Sequence, residues 1–317
     1  MMNDCLESEE DLQNLFGVLQ HYKDHKGNHP IFTANTIVAN PDFDKIAASS
    51  FEEYYFEPFT NTYRRYYAGE SVFETFQSGI RQKLFWPQLH GREHLNLSRW
   101  MRDLKEGVAE THLSFNYGMT GISRHITQSN RGSYQAAFDG RQSEALYDKK
   151  TILKDAVYIF KDIFGFQSQS FIAPNYIWDE GIENHAHELG IKYFQGSRVQ
   201  RLPKDHGDRL KIRRHYMGQR NHNDQRYLVR NADFEPTLDN HKDSVGSCLE
   251  QINRAFRWRK PAVICTHRVN YIGSLNPDNA KQNLAQLNQL ISSILERWPN
   301  VEFMTSDQLG QTMDADG

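Results

Sequence analysis

The sequence has few cysteines and no long apolar run. Its three cysteines, Cys5, Cys248 and Cys265, are far apart and match neither a disulfide framework nor a paired-cysteine metal motif. No apolar run approaches the roughly 18–20 residues that a membrane-spanning helix needs. The first residues, MMNDCLESEEDLQNLF, lack the basic and apolar regions of a signal peptide. We therefore expect a cytoplasmic protein without a membrane span.

The chain also lacks a large excess of charge of either sign. Its net charge is −3 over 317 residues, which gives no general affinity for nucleic acid or for a membrane surface. Charged residues make up 24% and aromatic residues 12% of the sequence, a composition typical of globular rather than disordered chains. There is no internal repeat or low-complexity linker, and we predict one domain over residues 1–317.

Short strand patterns alternate with helical patterns along the chain. Strands are predicted over residues 30–39, 83–90, 170–178, 191–196, 261–269 and 301–306. Helices are predicted after an N-cap at Ser98, over 145–164, near 179–189, and from Asn276 to the residue before Pro299. This alternation predicts an α/β fold with a parallel sheet, as either a barrel or an open sheet.

Polar residues follow several of the predicted strands. In both architectures ligands bind beyond the carboxyl ends of the strands. The polar residues at such ends are Asn35, His90, His94, Asn175, Tyr176, His267 and Arg268. We expect them to gather at one rim of the sheet and to form a candidate site.

The pair His90 and His94 has three interpretations. The string HGREH matches H-x-x-E-H, a zinc-protease motif that needs a helix through these residues. Pro87, Gly91 and the later N-cap at Ser98 argue against that helix, and they favour a loop after a strand. In such a loop the two imidazoles either bind a catalytic metal ion or form structural hydrogen bonds without one.

Residues 197–230 form a basic segment. They contain ten Lys or Arg and three Asp, and they show no sustained apolar period, so we predict an excursion or hairpin between two core elements. Such a segment is either a solvated loop or a flank that attracts an anionic glycan or a phosphorylated carrier. Tyr216 and Tyr227 are candidates there for stacking on sugar rings.

Several motifs together resemble the polysaccharide deacetylase family. HGREH resembles its H-[ST]-x-x-H motif, IAPNY its R-x-P-Y segment with Ile172 in the arginine position, and VICTHRVNY its late strand that ends in a catalytic histidine. The closing FMTSDQL is similar to the last strand and helix start. This resemblance implies a distorted (β/α)7 barrel that carries a divalent metal ion, usually zinc.

The first motif departs from the family pattern. The family has T-F-D-D, with a base and a metal ligand, where this sequence has FTAN. Asn35 then stands near the metal-ligand position, and its neutral amide oxygen is a weaker zinc ligand than a carboxylate. A base must come from elsewhere, and the candidates are Asp42, Asp44 and Glu93.

The resemblance implies a metal-dependent hydrolase that deacetylates a polysaccharide or a glycan precursor. The implied metal ligands are His90, His94 and Asn35, the catalytic residues His267 with Asp42 or Glu93, and the substrate-binding residues Arg268, Asn175, Tyr176 and Trp178. Trp178 offers either a sugar-stacking face or core packing. The alternative is a catalytically impaired barrel that binds a glycan or a biosynthetic partner. A retaining glycosidase needs two rim carboxylates, and no convincing pair is present.

Overall fold

A computed structural model describes residues 5–122, 134–140, 146–204, 209, 211–238 and 243–315. The start of the helix predicted from residue 145, and residues 205–208 and 210 of the basic segment, lie outside this part. Every helix of the described chain is too short or too polar to cross a membrane.

The strands confirm an α/β fold with a parallel central sheet. They are β1 (Phe32–Thr36), β2 (Ala39–Pro41), β3 (Phe56–Pro58), β4 (Phe85–Leu89), β5 (Ser170–Ile172), β6 (Tyr193–Gly196), β7 (Val199–Arg201), β8 (Ile212–Arg214), β9 (Arg226–Val229), β10 (Ala232–Asp233) and β11 (Ile264–Cys265). The central sheet has the order β1-β4-β5-β6-β9, and all its pairs are parallel. β10 and β11 form a separate parallel pair. Within the described residues these strands do not close into a hydrogen-bonded barrel.

Helices connect the strands and surround the sheet. Their bounds are Glu9–Gln20, Phe43–Ala48, Phe59–Tyr66, Val72–Arg81, Leu97–Lys105, Ala109–Asn116, Lys149–Phe164, Glu180–Glu188, Ser244–Arg257, Pro277–Arg297 and Ser306–Ala315. Two ends show the expected signals. The Asn276 side chain accepts from the Asn279 N–H before Pro277 at the first helical position, and Gly165 ends its helix at φ 77°.

Two apolar clusters hold the sheet in place. One joins the helices Glu9–Gln20, Ser244–Arg257 and Pro277–Arg297 to the helix Val72–Arg81 and to side chains of β1 and β4. The other packs Leu153 and Phe160 against Phe171 and Phe194. β5, β6 and β9 are buried at every position, which is typical of parallel sheets covered by helices.

Several predicted elements differ from the structure. The strand predicted over 170–178 ends at Ile172, and the one predicted over 261–269 is limited to Ile264–Cys265. Asn96, not Ser98, caps the helix Leu97–Lys105, and its side chain accepts from the Arg99 N–H at 3.2 Å. Residues 301–305 form no strand. Some of their backbone N–H groups donate to side chains instead of to a neighbouring strand, as in the 3.0 Å hydrogen bond from the Phe303 N–H to Asp24. The basic segment forms the antiparallel hairpin β7–β8, but its last part is β9 of the central sheet.

Candidate functional site

A large cavity is lined by residues along the whole of β1 and on both sides of β11. Its volume is about 1930 Å³, and its lining includes the predicted rim residues Asn35, His90, His94, Asn175, Tyr176, His267 and Arg268. Glu93 also contributes to the lining. These side chains therefore share one cavity, whose lining also includes residues before and within the strands.

His90 is fixed by the backbone of two neighbouring strands. Its N–H donates to the Thr36 carbonyl at 2.9 Å, and its Nδ1 lies 2.8 Å from the Ile172 carbonyl oxygen. A carbonyl only accepts, so Nδ1 carries the proton and Nε2 keeps its lone pair. The chain turns at Gly91 with φ 109°, and residues 90–94 are not helical. The helix that the protease motif needs is thus absent from this segment.

His94 packs edge to face against His90, with ring centroids 5.0 Å apart. Its Nδ1 is buried and has no hydrogen-bond partner. Burial lowers the pKa of His90 to about 3, with a further contribution from the charges of His94, Arg230 and His267. Burial also lowers the pKa of His94. Both imidazoles are therefore neutral near pH 7, which is the form that binds a metal ion.

Asn35 already takes part in a buried polar network. Its Oδ1 accepts a 2.8 Å hydrogen bond from Nε2 of Gln195. The same nitrogen donates to Ser170 Oγ at 2.9 Å. The oxygen that the family resemblance assigns to a metal ion thus retains one lone pair for another partner.

The predicted base Asp42 has a structural role. Its side chain caps the helix Phe43–Ala48 by accepting from the Lys45 N–H at 3.1 Å, and its other oxygen pairs with Lys45 Nζ at 2.9 Å. Asp42 does not line the cavity. The neighbouring candidate Asp44 is exposed and lies 3.6 Å from Arg65. Helix capping explains why an aspartate stands at position 42.

Glu93 is buried beside the histidines. Its Oε1 accepts from the Tyr54 hydroxyl at 2.7 Å and from Arg92 Nε at 2.6 Å, whereas its Oε2 is buried without a hydrogen-bond partner. Burial raises the pKa of Glu93, although Arg92 and Tyr54 act in the opposite direction. One carboxylate oxygen is therefore committed to an ion pair and the other is free.

Sequence reasoning missed the partner of His267. His267 Nδ1 lies 2.5 Å from Glu235 Oε1, and Asn270 Nδ2 donates to Glu235 Oε2 at 2.9 Å. Glu235, Cys265 and His267 place their ligating atoms within 4.8 Å of one another, the only such trio found in the described chain. The strand-end rule would have found Glu235, because it follows β10 as His267 follows β11.

Arg230 is a second residue that the sequence did not single out. It follows β9 and lines the cavity. Its Nη1 donates to the Tyr176 hydroxyl and to Cys265 Sγ, each at 3.2 Å. Cys265 is buried, and burial raises the pKa of its thiol. Arg230 thus brings a positive charge to a cavity whose two buried histidines are neutral.

The predicted substrate-binding residues have different environments. Arg268 pairs with Glu7 at 3.0 Å, and Asn175 adopts the left-handed conformation at φ 56°. Trp178 is only 1% exposed, stacks on Phe194 and donates from Nε1 to Glu183 at 2.8 Å. Trp178 is therefore a core residue with no face for a sugar ring.

The two tyrosines of the basic segment also differ from each other. Tyr227 belongs to β9 and is 5% exposed, whereas Tyr216 is 67% exposed. The Tyr227 hydroxyl donates to Glu183 at 2.6 Å. Only Tyr216 thus retains a ring face that a sugar can reach.

No family model and no curated protein sequence matches this chain. Solved structures show a weak resemblance in fold. A candidate polysaccharide deacetylase from Mycobacterium smegmatis has 11% identity and a TM-score of 0.48, with 96% of this chain and 77% of that chain covered. The α-amylase AmyC from Thermotoga maritima has 9% identity and a TM-score of 0.43, with coverage of 96% and 61%. A GH57 branching enzyme from Thermococcus kodakaraensis has 11% identity and a TM-score of 0.39, with coverage of 96% and 56%.

Proposed function

We propose that this chain is a metal-dependent hydrolase that removes an acyl group from a polysaccharide or a glycan precursor. The observation that carries the proposal is the 2.5 Å contact between His267 and Glu235 at a cavity that also contains the neutral pair His90 and His94. An oriented imidazole beside two potential metal ligands suits the hydrolysis of an amide or an ester.

The two histidines suit a divalent metal ion. His90 is held by a backbone carbonyl through Nδ1, the arrangement in which metal-binding histidines present Nε2. His94 has a buried ring nitrogen without a partner. Asn35 is the proposed third ligand, and nitrogen-rich sites of this kind favour zinc. When bound, such an ion supplies Lewis-acid chemistry by polarising the substrate carbonyl.

The remaining roles belong to Glu235, which contacts the lining residue His267, and to side chains that line the cavity. Glu235 accepts from Nδ1 of His267, so that Nε2 can deliver a proton to the leaving amine or alcohol. Glu93 is the proposed base, because its Oε2 has no partner and its raised pKa makes the carboxylate a stronger proton acceptor. Arg230, Asn175 and Tyr176 bind and orient the substrate.

We further propose a distorted (β/α)7 barrel over residues 1–317. Support comes from the final segment, which lies beside the edge strand β1 without pairing with it as a strand. The Ser306 N–H donates to Thr33 Oγ1 at 2.9 Å. Ser306 Oγ also lies 3.0 Å from Ser170 Oγ of β5, so the final segment contacts side chains of two strands of the central sheet, as a further barrel element would.

A second candidate function is a catalytically impaired barrel that binds a glycan. In the described part of the chain, no carboxylate forms a three-residue metal cluster with His90 and His94. A site with two imidazoles and an amide binds zinc more weakly than one with a carboxylate.

The experiment measures bound metal and acetate release on the same preparations. Protein purified without a chelator is analysed for metal content, and acetate is assayed with acetylated chitooligosaccharides. We expect stoichiometric metal in the wild type, and little in the double variant His90→Ala/His94→Ala. The exposed His187→Ala is the matched control. Equal metal content and thermal stability in the wild type and the double variant would disprove the metal site. Oligosaccharide binding without acetate release would favour the second candidate.

A further inference from the structure

The large cavity extends well beyond the candidate catalytic residues. His267 follows β11, whereas residues 259–263, which also line the cavity, precede this strand. Phe32 and Phe85 are paired at the start of β1 and β4 and line it as well. At about 1930 Å³ the cavity is larger than the roughly 300–1,000 Å³ of ordinary ligand sites. It therefore has room for a long ligand that lies along the strands.

Apolar side chains line this inner part of the cavity. They include Leu12, Phe32, Ala262, Ile264, Leu287 and Phe303. Ile264 belongs to β11 and is nevertheless 37% exposed, and Phe32 and Phe303 are only partly buried. Strands and segments covered by helices normally bury such side chains completely. Apolar surface is thus left facing the cavity, and an apolar cavity takes up hydrocarbon rather than water.

The cavity reaches the surface of the protein at a basic patch. The exposed residues Arg259, Lys260 and Arg297 line it there. Residues 254–260, RAFRWRK, contain four basic residues and no acidic one. Within the described part of the chain, none of these four and no group of Arg297 takes part in an ion pair. Five positive charges therefore surround this opening without a fixed counter-charge.

Few carboxylates lie close to the basic patch in the sequence. Glu250 precedes it on the helix Ser244–Arg257, and Glu296 stands next to Arg297. Glu302 lines the cavity but pairs with Lys26 at 2.8 Å. Positive charges thus outnumber negative ones at this end of the molecule, although the whole chain has a net charge of −3.

Trp258 stands inside the basic patch and is 77% exposed. The helix Ser244–Arg257 ends at this residue, and the chain turns at Arg259 with φ 53°. The neighbouring Phe256 packs edge to face on Trp298, with ring centroids 5.2 Å apart, which joins the patch to the end of the helix Pro277–Arg297. An exposed indole among basic side chains is typical of a surface that lies against lipid headgroups.

We propose that this end of the molecule docks on a membrane that contains anionic phospholipid, and that one acyl chain of the lipid enters the cavity. The basic residues lie against the phosphate groups, and Trp258 inserts at the level of the headgroups. A nucleic acid would also match the charge, but it would leave the apolar lining without a partner. Docking is independent of the proposed hydrolase function, because none of the residues proposed for metal binding or catalysis belongs to the basic patch.

Vesicle sedimentation at constant ionic strength measures the docking. The full chain should bind vesicles of phosphatidylcholine with phosphatidylglycerol, but not vesicles of phosphatidylcholine alone. The variant Arg257→Ala/Arg259→Ala/Lys260→Ala should bind about 100-fold more weakly. Its matched control, Lys150→Ala/Lys154→Ala/Lys161→Ala, removes three exposed charges from another helix and should keep the affinity. Equal losses in the two triple variants would overturn the docking surface in favour of net charge alone.

Trp258 distinguishes a membrane from another polyanion. Brominated phosphatidylglycerol in the vesicles should quench the tryptophan fluorescence of the wild type, and Trp258→Phe should lose most of this quenching. A single-stranded oligonucleotide should not displace the protein from the vesicles. Displacement by the oligonucleotide, or the same quenching in Trp258→Phe, would refute the membrane as the partner.

A lipid with a single chain tests the cavity. Lysophosphatidylglycerol below its micellar concentration has a headgroup and a chain, whereas glycerol 1-phosphate has the headgroup alone. Calorimetric titration should give at least about 100-fold tighter binding for the lysolipid, since each buried methylene adds to the affinity. Ile264→Trp, or the milder Ala262→Leu, fills part of the cavity and should weaken lysolipid binding while vesicle docking through the basic patch persists. Equal affinities for the two probes would overturn the entry of the chain.

Discussion

His267 Nδ1 and Glu235 Oε1 lie 2.5 Å apart, although 32 residues separate them in the sequence. The register of β10 and β11 explains this contact. Asp233 pairs with Cys265 in a parallel ladder. Glu235 and His267 each come two positions after these residues, so they lie side by side just beyond the ends of the two strands. Both side chains therefore lie on the same edge, and the carboxylate fixes the orientation of the imidazole.

The variant Glu235→Gln tests this contact. The amide keeps the size of the side chain but loses the charge that stabilises a protonated imidazole. Under the proposed function, we expect kcat for acetate release to fall about 100-fold or more, with little change in KM. The control is Glu7→Gln, a cavity residue that pairs with Arg268 instead. An unchanged kcat would exclude Glu235 as a positioning residue.

The variant Asn35→Asp tests the proposed metal site. A carboxylate in place of the amide supplies charge to a bound cation, and Gln195 Nε2 can still donate to it. We expect the affinity for zinc to increase about tenfold or more, as measured by competition with a chromophoric chelator. Asn175→Asp adds the same charge elsewhere on the cavity wall and should have a smaller effect. Equal gains in zinc affinity in the two variants would show that the added negative charge raises the affinity regardless of its position in the cavity.

The variant Arg92→Ala tests the buried ion pair beside the histidines. Arg92 and Glu93 have side chains only 6% and 2% exposed, and Arg92 also lies 4.3 Å from the Phe56 ring centroid. Its loss leaves a buried carboxylate without its cation, so we expect a decrease of about 3–5 kcal/mol in the free energy of unfolding. Urea denaturation measures this loss. Arg65→Ala, which breaks a more exposed pair with Glu57, should have a much smaller effect.

The pH dependence of stability tests the environment of His215. Burial lowers the pKa of His215 from its usual 6.5. The unfolded chain therefore takes up a proton near pH 6.5 before the folded chain does, and stability falls as the pH decreases below that value. This contribution has a slope of up to about 1.4 kcal/mol per pH unit. Urea unfolding without phosphate, from pH 8 to pH 5, should show a shallower slope for His215→Gln than for the wild type. The exposed His21→Gln serves as the control, and identical slopes in all three proteins would contradict the prediction.

The sequence by itself determined that strands alternate with helices in an α/β fold, and it located several of these elements. The apolar runs of the strands, the helix start at Asn276–Pro277 and the helix end at Gly165 are local signals. Local signals of this kind are enough to predict these elements from the sequence. Pro87 and Gly91 likewise excluded a helix through His90 and His94. His90 and His94 both follow β4 and line the cavity, and residues beyond the end of a parallel strand are where ligands commonly bind.

Only the tertiary structure decided which partners these side chains have. Trp178 is in the core because the helix Glu180–Glu188 brings Glu183 to its indole nitrogen, and Asp42 is a helix cap rather than a free base. Glu235 contacts His267 because of the register between β10 and β11. The local sequence around either residue does not predict this register. Hydrogen bonds between distant segments depend on how the strands and helices pack, and packing joins residues that are far apart in sequence.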